Sequence, residues 1–223
     1  MKLNVVGSSS KGNGYILETE EEALIIECGC KFLDVKKALK FNVSKIVGCI
    51  VTHSHGDHAK YIGQYENCGF PVVRSWEEKT GVIKRFGGFS VVLFELIHNV
   101  PCCGFLISHK EIGRLLFITD TEYSKYSFRA YDVAHIFVEA NYAKEFLDEE
   151  GEEDKRTHVI EGHMDIETTC RLLKANKTDN LKSVVLLHLS DTNSDEEMFA
   201  KRASEVVNCP VYIAKPGLEV ELI

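Results

Sequence analysis

The chain has 223 residues, 44% of them hydrophobic, and a formal charge of -8 at neutral pH. That length can bury a full core and suits a single domain over residues 1–223. The acidic balance argues against a surface that grips a long polyanion through a basic stripe, leaving a small ligand or a locally basic cleft open.

The opening stretch MKLNVVGSSSKGNGYILE places polar loop residues directly after a short apolar run. It fits neither a signal peptide nor a membrane span, so a cytoplasmic protein without a membrane partner is expected. The eight cysteines form no CxxC pair, which speaks against a zinc knuckle, and a reducing compartment disfavours disulfides. Most read as small buried apolar residues. For the vicinal pair Cys102 and Cys103, burial and contact with a site both stay open.

In chain order, β-type runs punctuated by Gly, Ser and Asn predict strands at 3–7, 15–18 and 23–27. Helical spacing follows at 32–40, then a buried strand at 45–51. Directly after it comes THSHGDHA, with His53 and His55 on the loop and Asp57 and His58 opening a helix whose exposed N–H groups favour an acid. Further strands are predicted at 89–97, 104–108, 114–119, 133–139, 183–189 and 211–214, and helices at 165–176 and 195–207. The tail from 211 onward suits either a last strand or a cover for a partner. Strands with helices behind them in each half suggest a layered α/β sandwich. The run EFLDEEGEED at 145–154 holds seven acids in ten residues and reads as a solvated loop or a frayed helix end.

Neutral imidazoles and carboxylates hold zinc or similar ions while leaving coordination positions open for water. In HSHGDH, His53 and His55 can share one ion, and Asp57 with His58 can reach a second. Two ions require more ligands, and His98, Asp120 and His188 stand at or near predicted strand ends, completing a set of seven.

These residues resemble the HxHxDH signature of the metallo-β-lactamase superfamily, with His98, Asp120 and His188 at its later His, bridging Asp and final His. The resemblance implies a four-layer αββα sandwich with a dinuclear site at one edge of its sheets, and it extends over nearly the whole chain. GSSSKGN, FITDTEY, VEANY, GHMDIET and LLHLSDTNSD resemble YycJ-type proteins, small relatives of ribonuclease Z. On that likeness His163 is an acid or phosphate-binding group beside the metals, against a plainer reading as a cap for the helix near Asp165. Glu139 matches the acid of a HEAT-like phrase, although Val138 stands where that phrase has histidine. Glu27 stands where the superfamily usually has Asp, at a position that hydrogen-bonds the ligand loop rather than the metal.

The implied cofactors are two divalent ions, zinc first with manganese as the alternative. The leading activity is phosphodiester hydrolysis in nucleotides. In it His53, His55 and His98 hold one ion, Asp57, His58 and His188 the other, Asp120 bridges, and Asp57 and His163 act catalytically. Small size and acidity slightly favour cyclic mononucleotides, as in phage anti-Pycsar enzymes, which would put the protein in a host's cytoplasm. A YycJ-like nuclease acting on DNA or RNA is the alternative. A thioester or lactone hydrolase and a metal-binding protein without catalysis stand behind both. A homodimer is a family-based expectation.

Overall fold

Two mixed sheets carry the chain in the computed structural model, which describes residues 1–147 and 159–223. The first sheet contains β1 (Lys2–Gly7), β2 (Gly14–Glu18), β3 (Ala23–Ile26), β4 (Ile46–Val51), β5 (Val72–Arg74) and β13 (Glu219–Glu221), in the order β13-β1-β2-β3-β4-β5. The second runs β12-β11-β10-β9-β8-β7-β6, from β6 (Ile83–Phe86), β7 (Phe89–Leu96), β8 (Cys102–His109), β9 (Gly113–Ile118), β10 (His135–Glu139), β11 (Ser183–Leu187) and β12 (Val211–Ile213).

The pleat sends alternate side chains to opposite faces, and here both faces are covered. Leu17, Leu24, Ile26 and Ile50 of the first sheet meet Phe105, Leu115, Phe117, Phe137 and Val185 of the second in one inner core. Their neighbours point outward. Ile16, Ile25, Cys49 and Val51 pack against α1 (Phe32–Ala38) and α3 (Ile62–Glu66). Leu116, Ile118, Ile136, Val138 and Leu186 pack against α4 (Ile166–Asn176) and α5 (Glu196–Ser204). The result is the expected sandwich of helices, two sheets and helices, and it explains why the strand sequences read as unbroken apolar runs.

Strand direction positions the site. β3, β4 and β5 run parallel, as do β9, β10, β11 and β12. Their carboxyl ends are where open sheets of this kind present ligand-binding residues.

Three strands fall outside the residue ranges predicted from apolar runs: β5, β6 and β13. All lie at sheet edges, and their short sequences VVR, IKRF and EVE owe their form to a neighbouring strand rather than to an apolar run. For the tail, the strand reading holds, because Leu3 pairs with Val220. The helix predicted to reach 40 stops at Ala38, and Lys40 and Phe41 turn into left-handed backbone. Most of the acidic run, residues 148–154, lies outside the described residues.

Phe117 joins the two sheets. It is wholly buried and meets Tyr15 edge-on at 5.4 Å between ring centroids. Phe117→Ala is expected to cost about 3–5 kcal/mol in chemical denaturation, because neither rigid sheet can fill the gap.

Candidate metal centre

Each of the named site residues except His163 sits at or just beyond the end of a strand. Glu27 follows β3, and His53, His55, Asp57 and His58 follow β4, the last two in the short helix α2 (Gly56–Ala59). His98 follows β7, Asp120 follows β9, Glu139 closes β10, and His188 is the first residue past β11. His163 precedes α4. The strand predicted to include His188 ends at Leu187, which frees His188 to take a left-handed backbone at φ 54°.

The fold brings the seven proposed ligands together with Glu139 and His163 in three groups of donor atoms, the second and third of which share Asp120 and His188. These are His53, His55 and His98; Asp57, His58, Asp120 and His188; and Asp120, Glu139, His163 and His188. In the first, His55 Nδ1 lies 3.1 Å from His53 Nε2 and 3.2 Å from His98 Nε2. Zinc bound tetrahedrally at about 2.0–2.1 Å sets neighbouring nitrogens about 3.3 Å apart, so the spacing fits one shared ion. A single N–H satisfies one such contact well, whereas a cation reached by three lone pairs satisfies all of them. In the second group His58 Nε2 is 3.2 Å from Asp57 Oδ2 and 3.3 Å from Asp120 Oδ2, and His188 Nε2 is 3.3 Å from Asp57 Oδ2. Asp120 Oδ2 is also 3.8 Å from His53 Nε2, which places one carboxylate between the groups. The clusters suit two metal ions.

Hydrogen bonds aim the rings. The Thr52 hydroxyl donates its one proton to Glu27 Oε1 at 2.6 Å, so at 2.9 Å from His53 Nδ1 it must accept. His53 therefore carries its proton on Nδ1 and turns the Nε2 lone pair to the centre. Glu139 does the same for His188, whose Nδ1 lies 3.2 Å from Glu139 Oε1. The other ring bonded to that carboxylate is His163, at 2.6 Å. Glu139 Oε2 accepts from the Thr121 and Met164 N–H groups at 3.3 and 3.1 Å. Glu27 thus reaches the ligand loop despite its extra methylene, with Oε1 also 3.3 Å from His58 Nδ1. The capping role considered for His163 belongs to Asp165, whose side chain accepts from the Glu167 and Thr168 N–H groups.

Without metal the imidazoles divide. Burial holds His53 down to about 2 and His98 to about 4. Burial would lower His188 too, yet Asp120, Asp57 and Glu139 outweigh it and push His188 up to about 10. His58 is raised the same way, against burial, by Asp120 and Glu27. For His163, Glu139 and then Asp120 overcome burial and raise it. Protons on His58 and His188 thus offset the carboxylates where cations would bind.

Sequence reasoning missed several supports. Besides Thr52 these are Asn13, with Nδ2 3.2 Å from Asp57 Oδ2 and 3.0 Å from His58 Nε2, and Asn141, which donates to the His188 carbonyl at 2.8 Å. Ser8 Oγ accepts from the His188 N–H at 2.9 Å. Asn13, Asn141 and Ser8 stand in the phrases GSSSKGN and VEANY, the one signal available. Gly29 is required by close approach, since a Cβ there would collide with the Asp57 carbonyl. Glu27, Asp120 and His188 all have positive φ, at 70°, 50° and 54°, a strained region for non-glycine residues that clusters at functional sites. Of the cysteine pair, Cys102 Sγ touches the Asp120 carbonyl at 3.9 Å, and Cys103 turns into the inner core. Burial raises both thiols, which makes them poor thiolates.

Comparison with known proteins agrees with this geometry. A model of the metallo-β-lactamase superfamily matches residues 10–66, which include the HSHGDH loop. Exodeoxyribonuclease YycJ of Bacillus anthracis is 26% identical, the match covering 93% of this chain and 89% of that protein. Among solved structures, the metallo-β-lactamase fold protein YhfI from Bacillus subtilis superposes with a TM-score of 0.75 at 19% identity, over 98% of each chain. Human tRNase Z, short form, does so at 0.67 and 14% identity over the full length of both. The chain has the metallo-β-lactamase fold and is similar to that superfamily through the HSHGDH loop, and its His and Asp clusters could hold two metal ions. Among the described residues no helix is long and apolar enough to cross a membrane.

The raised His58 and His188 make metal binding a proton-releasing event. Titration calorimetry in buffers of different ionisation enthalpy should show proton release at neutral pH. Affinity should climb as pH rises towards about 10, where His188 loses its proton unaided. Glu139→Gln, which weakens the hold on His188, should lower metal affinity about 10–100-fold with the fold retained. A pH-independent affinity would remove this account.

Proposed function

We propose that the protein is a two-metal phosphodiesterase acting on nucleic acid, with DNA ahead of RNA. One observation carries this: seven His and Asp side chains converge in two metal-binding groups, with Asp120 of the second 3.8 Å from His53 of the first and the hydrogen-bonded pair Glu139 and His163 at their margin. The name of the Bacillus anthracis relative, an exodeoxyribonuclease, and that of the human tRNase Z support a phosphodiester substrate.

His53, His55 and His98 would hold one ion and Asp57, His58 and His188 the other, with Asp120 between them. Zinc suits this donor set, with manganese as the alternative. Such ions, when bound, lower the pKa of water and neutralise charge developing on a phosphoryl oxygen. The chain supplies the rest. Asp57 has the most exposed side chain among its site carboxylates, at 19% against 3% or less for Asp120, Glu139 and Glu27. It would accept a hydrogen bond from the attacking water and fix its direction. Glu27 and Glu139 act at one remove, holding His53 and His188 in the tautomers that present Nε2.

His163 has a 14% exposed side chain and an Nδ1 proton committed to Glu139. That bond orients the ring so that Nε2 can give a proton to the departing oxygen or bind a phosphoryl oxygen. The charge of -8 favours a second reading, hydrolysis of a cyclic mononucleotide, which needs no basic track along the surface.

The metal-loaded protein and its Asp120→Ala variant should be incubated with DNA, RNA and cyclic mononucleotides and the products separated by chromatography. Mononucleotide release from DNA by the wild type alone is expected. Opening of cyclic nucleotides with polymers left intact would establish the second reading, and no turnover of either would end both. His163→Ala should lose about 10²–10⁴-fold in kcat while still binding two metal equivalents by elemental analysis.

A further inference from the structure

A cavity of about 500 Å³, a volume typical of a small-ligand site, is lined by residues that closely follow Asp120, Glu139 and His163 in the chain. Two segments that build the centre run into its walls. After Asp120, the Thr121 N–H reaches Glu139 Oε2 at 3.3 Å and the Thr121 hydroxyl donates to the Tyr123 carbonyl at 2.9 Å; Tyr123 then lines the cavity. After Glu139, the chain reaches Tyr142, whose carbonyl accepts from the Ile166 N–H at 2.9 Å and whose side chain lines the same space.

The lining combines three chemistries. Tyr123 is 46% exposed, and its ring meets no other ring or cation among the described residues. Tyr142 is 2% exposed, yet its hydroxyl has no hydrogen-bond partner among the described residues. Lys144 and Arg171 have no carboxylate partner among the described residues, and Arg171 donates only to Thr168 Oγ1, at 2.7 Å. Of the acids in the wall, Asp165 is already engaged as the cap of α4, and Glu122 is exposed. An aromatic surface, a hydroxyl and two cations together match the base, sugar and phosphate of a nucleotide. Bases stack on aromatic side chains with little regard to sequence, and nearby cations follow the backbone.

We infer that this cavity is a subsite for one unpaired nucleotide of a single-stranded DNA, its base on Tyr123 and its backbone phosphate towards Lys144 and Arg171. The inference rests on the phosphodiesterase reading and extends it, because a base already stacked within a duplex cannot enter without being extruded. The subsite selects single strands over duplexes and tolerates any sequence.

The test uses the full-length metal-loaded protein, a single-stranded oligodeoxynucleotide, the same sequence as a duplex, and bis(p-nitrophenyl) phosphate, a small diester without a nucleotide base. Tyr123→Ala should raise KM for the single strand about 5–150-fold, the equivalent of about 1–3 kcal/mol of stacking, and leave turnover of the small diester within twofold. Tyr123→Phe should restore the wild-type KM, and Lys144→Ala combined with Arg171→Ala should raise KM and flatten its salt dependence. An unchanged KM in Tyr123→Ala, equal loss on both substrates, or a duplex bound as well as the single strand would overturn the subsite. Should the wild type hydrolyse neither substrate, the phosphodiesterase reading fails by itself. Quenching of a 2-aminopurine oligonucleotide by the Asp120→Ala protein, and its loss on adding Tyr123→Ala, would still decide whether the cavity takes a base.

Discussion

Four carboxylates, those of Glu27, Asp57, Asp120 and Glu139, converge at the rim of a sandwich with an apolar interior. Among the described residues no lysine or arginine pairs with any of them; their partners are imidazoles, hydroxyls, the Asn13 amide and backbone N–H groups. Buried negative charge without compensation is costly, so the rim is built to be completed by cations. The tautomers of His53 and His188, the raised His58 and His188, and the position of Asp120 between two groups all answer to that requirement.

The sandwich makes such a rim affordable. Both faces of both sheets are apolar, so stability is drawn from side chains that take no part in chemistry, and the polar machinery is confined to strand ends. Val138 illustrates the separation. It stands next to Glu139 and in place of a histidine in the related phrase, but the pleat turns it into the outer core against the helices. A histidine in that orientation would face aliphatic side chains rather than the centre, so this departure from the related sequences leaves Glu139 free to hold His163 and His188.

What the sequence disclosed follows from how local each signal is. HSHGDH is legible because four polar, metal-capable side chains crowd into six positions right after a buried strand. His98, Asp120 and His188 are legible because apolar runs mark the strand ends they follow. Glu139 and His163 needed a resemblance, since a single Glu or His carries no spacing information. Thr52, Asn13 and Gly29 act through contacts whose partners lie 25, 44 and 28 positions away, and nothing in a linear pattern records such proximity. The edge strands were equally opaque: their pairing is imposed by β4, β7 and β1, not by their own alternation.

The left-handed backbone at Glu27, Asp120 and His188 sets this chain's chemistry against its durability. Glycine at any of the three would relax the main chain and remove the side chain that the site depends on, so the sequence that folds most comfortably is not the sequence that works. Random drift without selection for activity would therefore tend to erode these positions first, towards a calmer and inert sandwich. The persistence of Glu, Asp and His at three such angles is thus a record of use written in the torsions themselves.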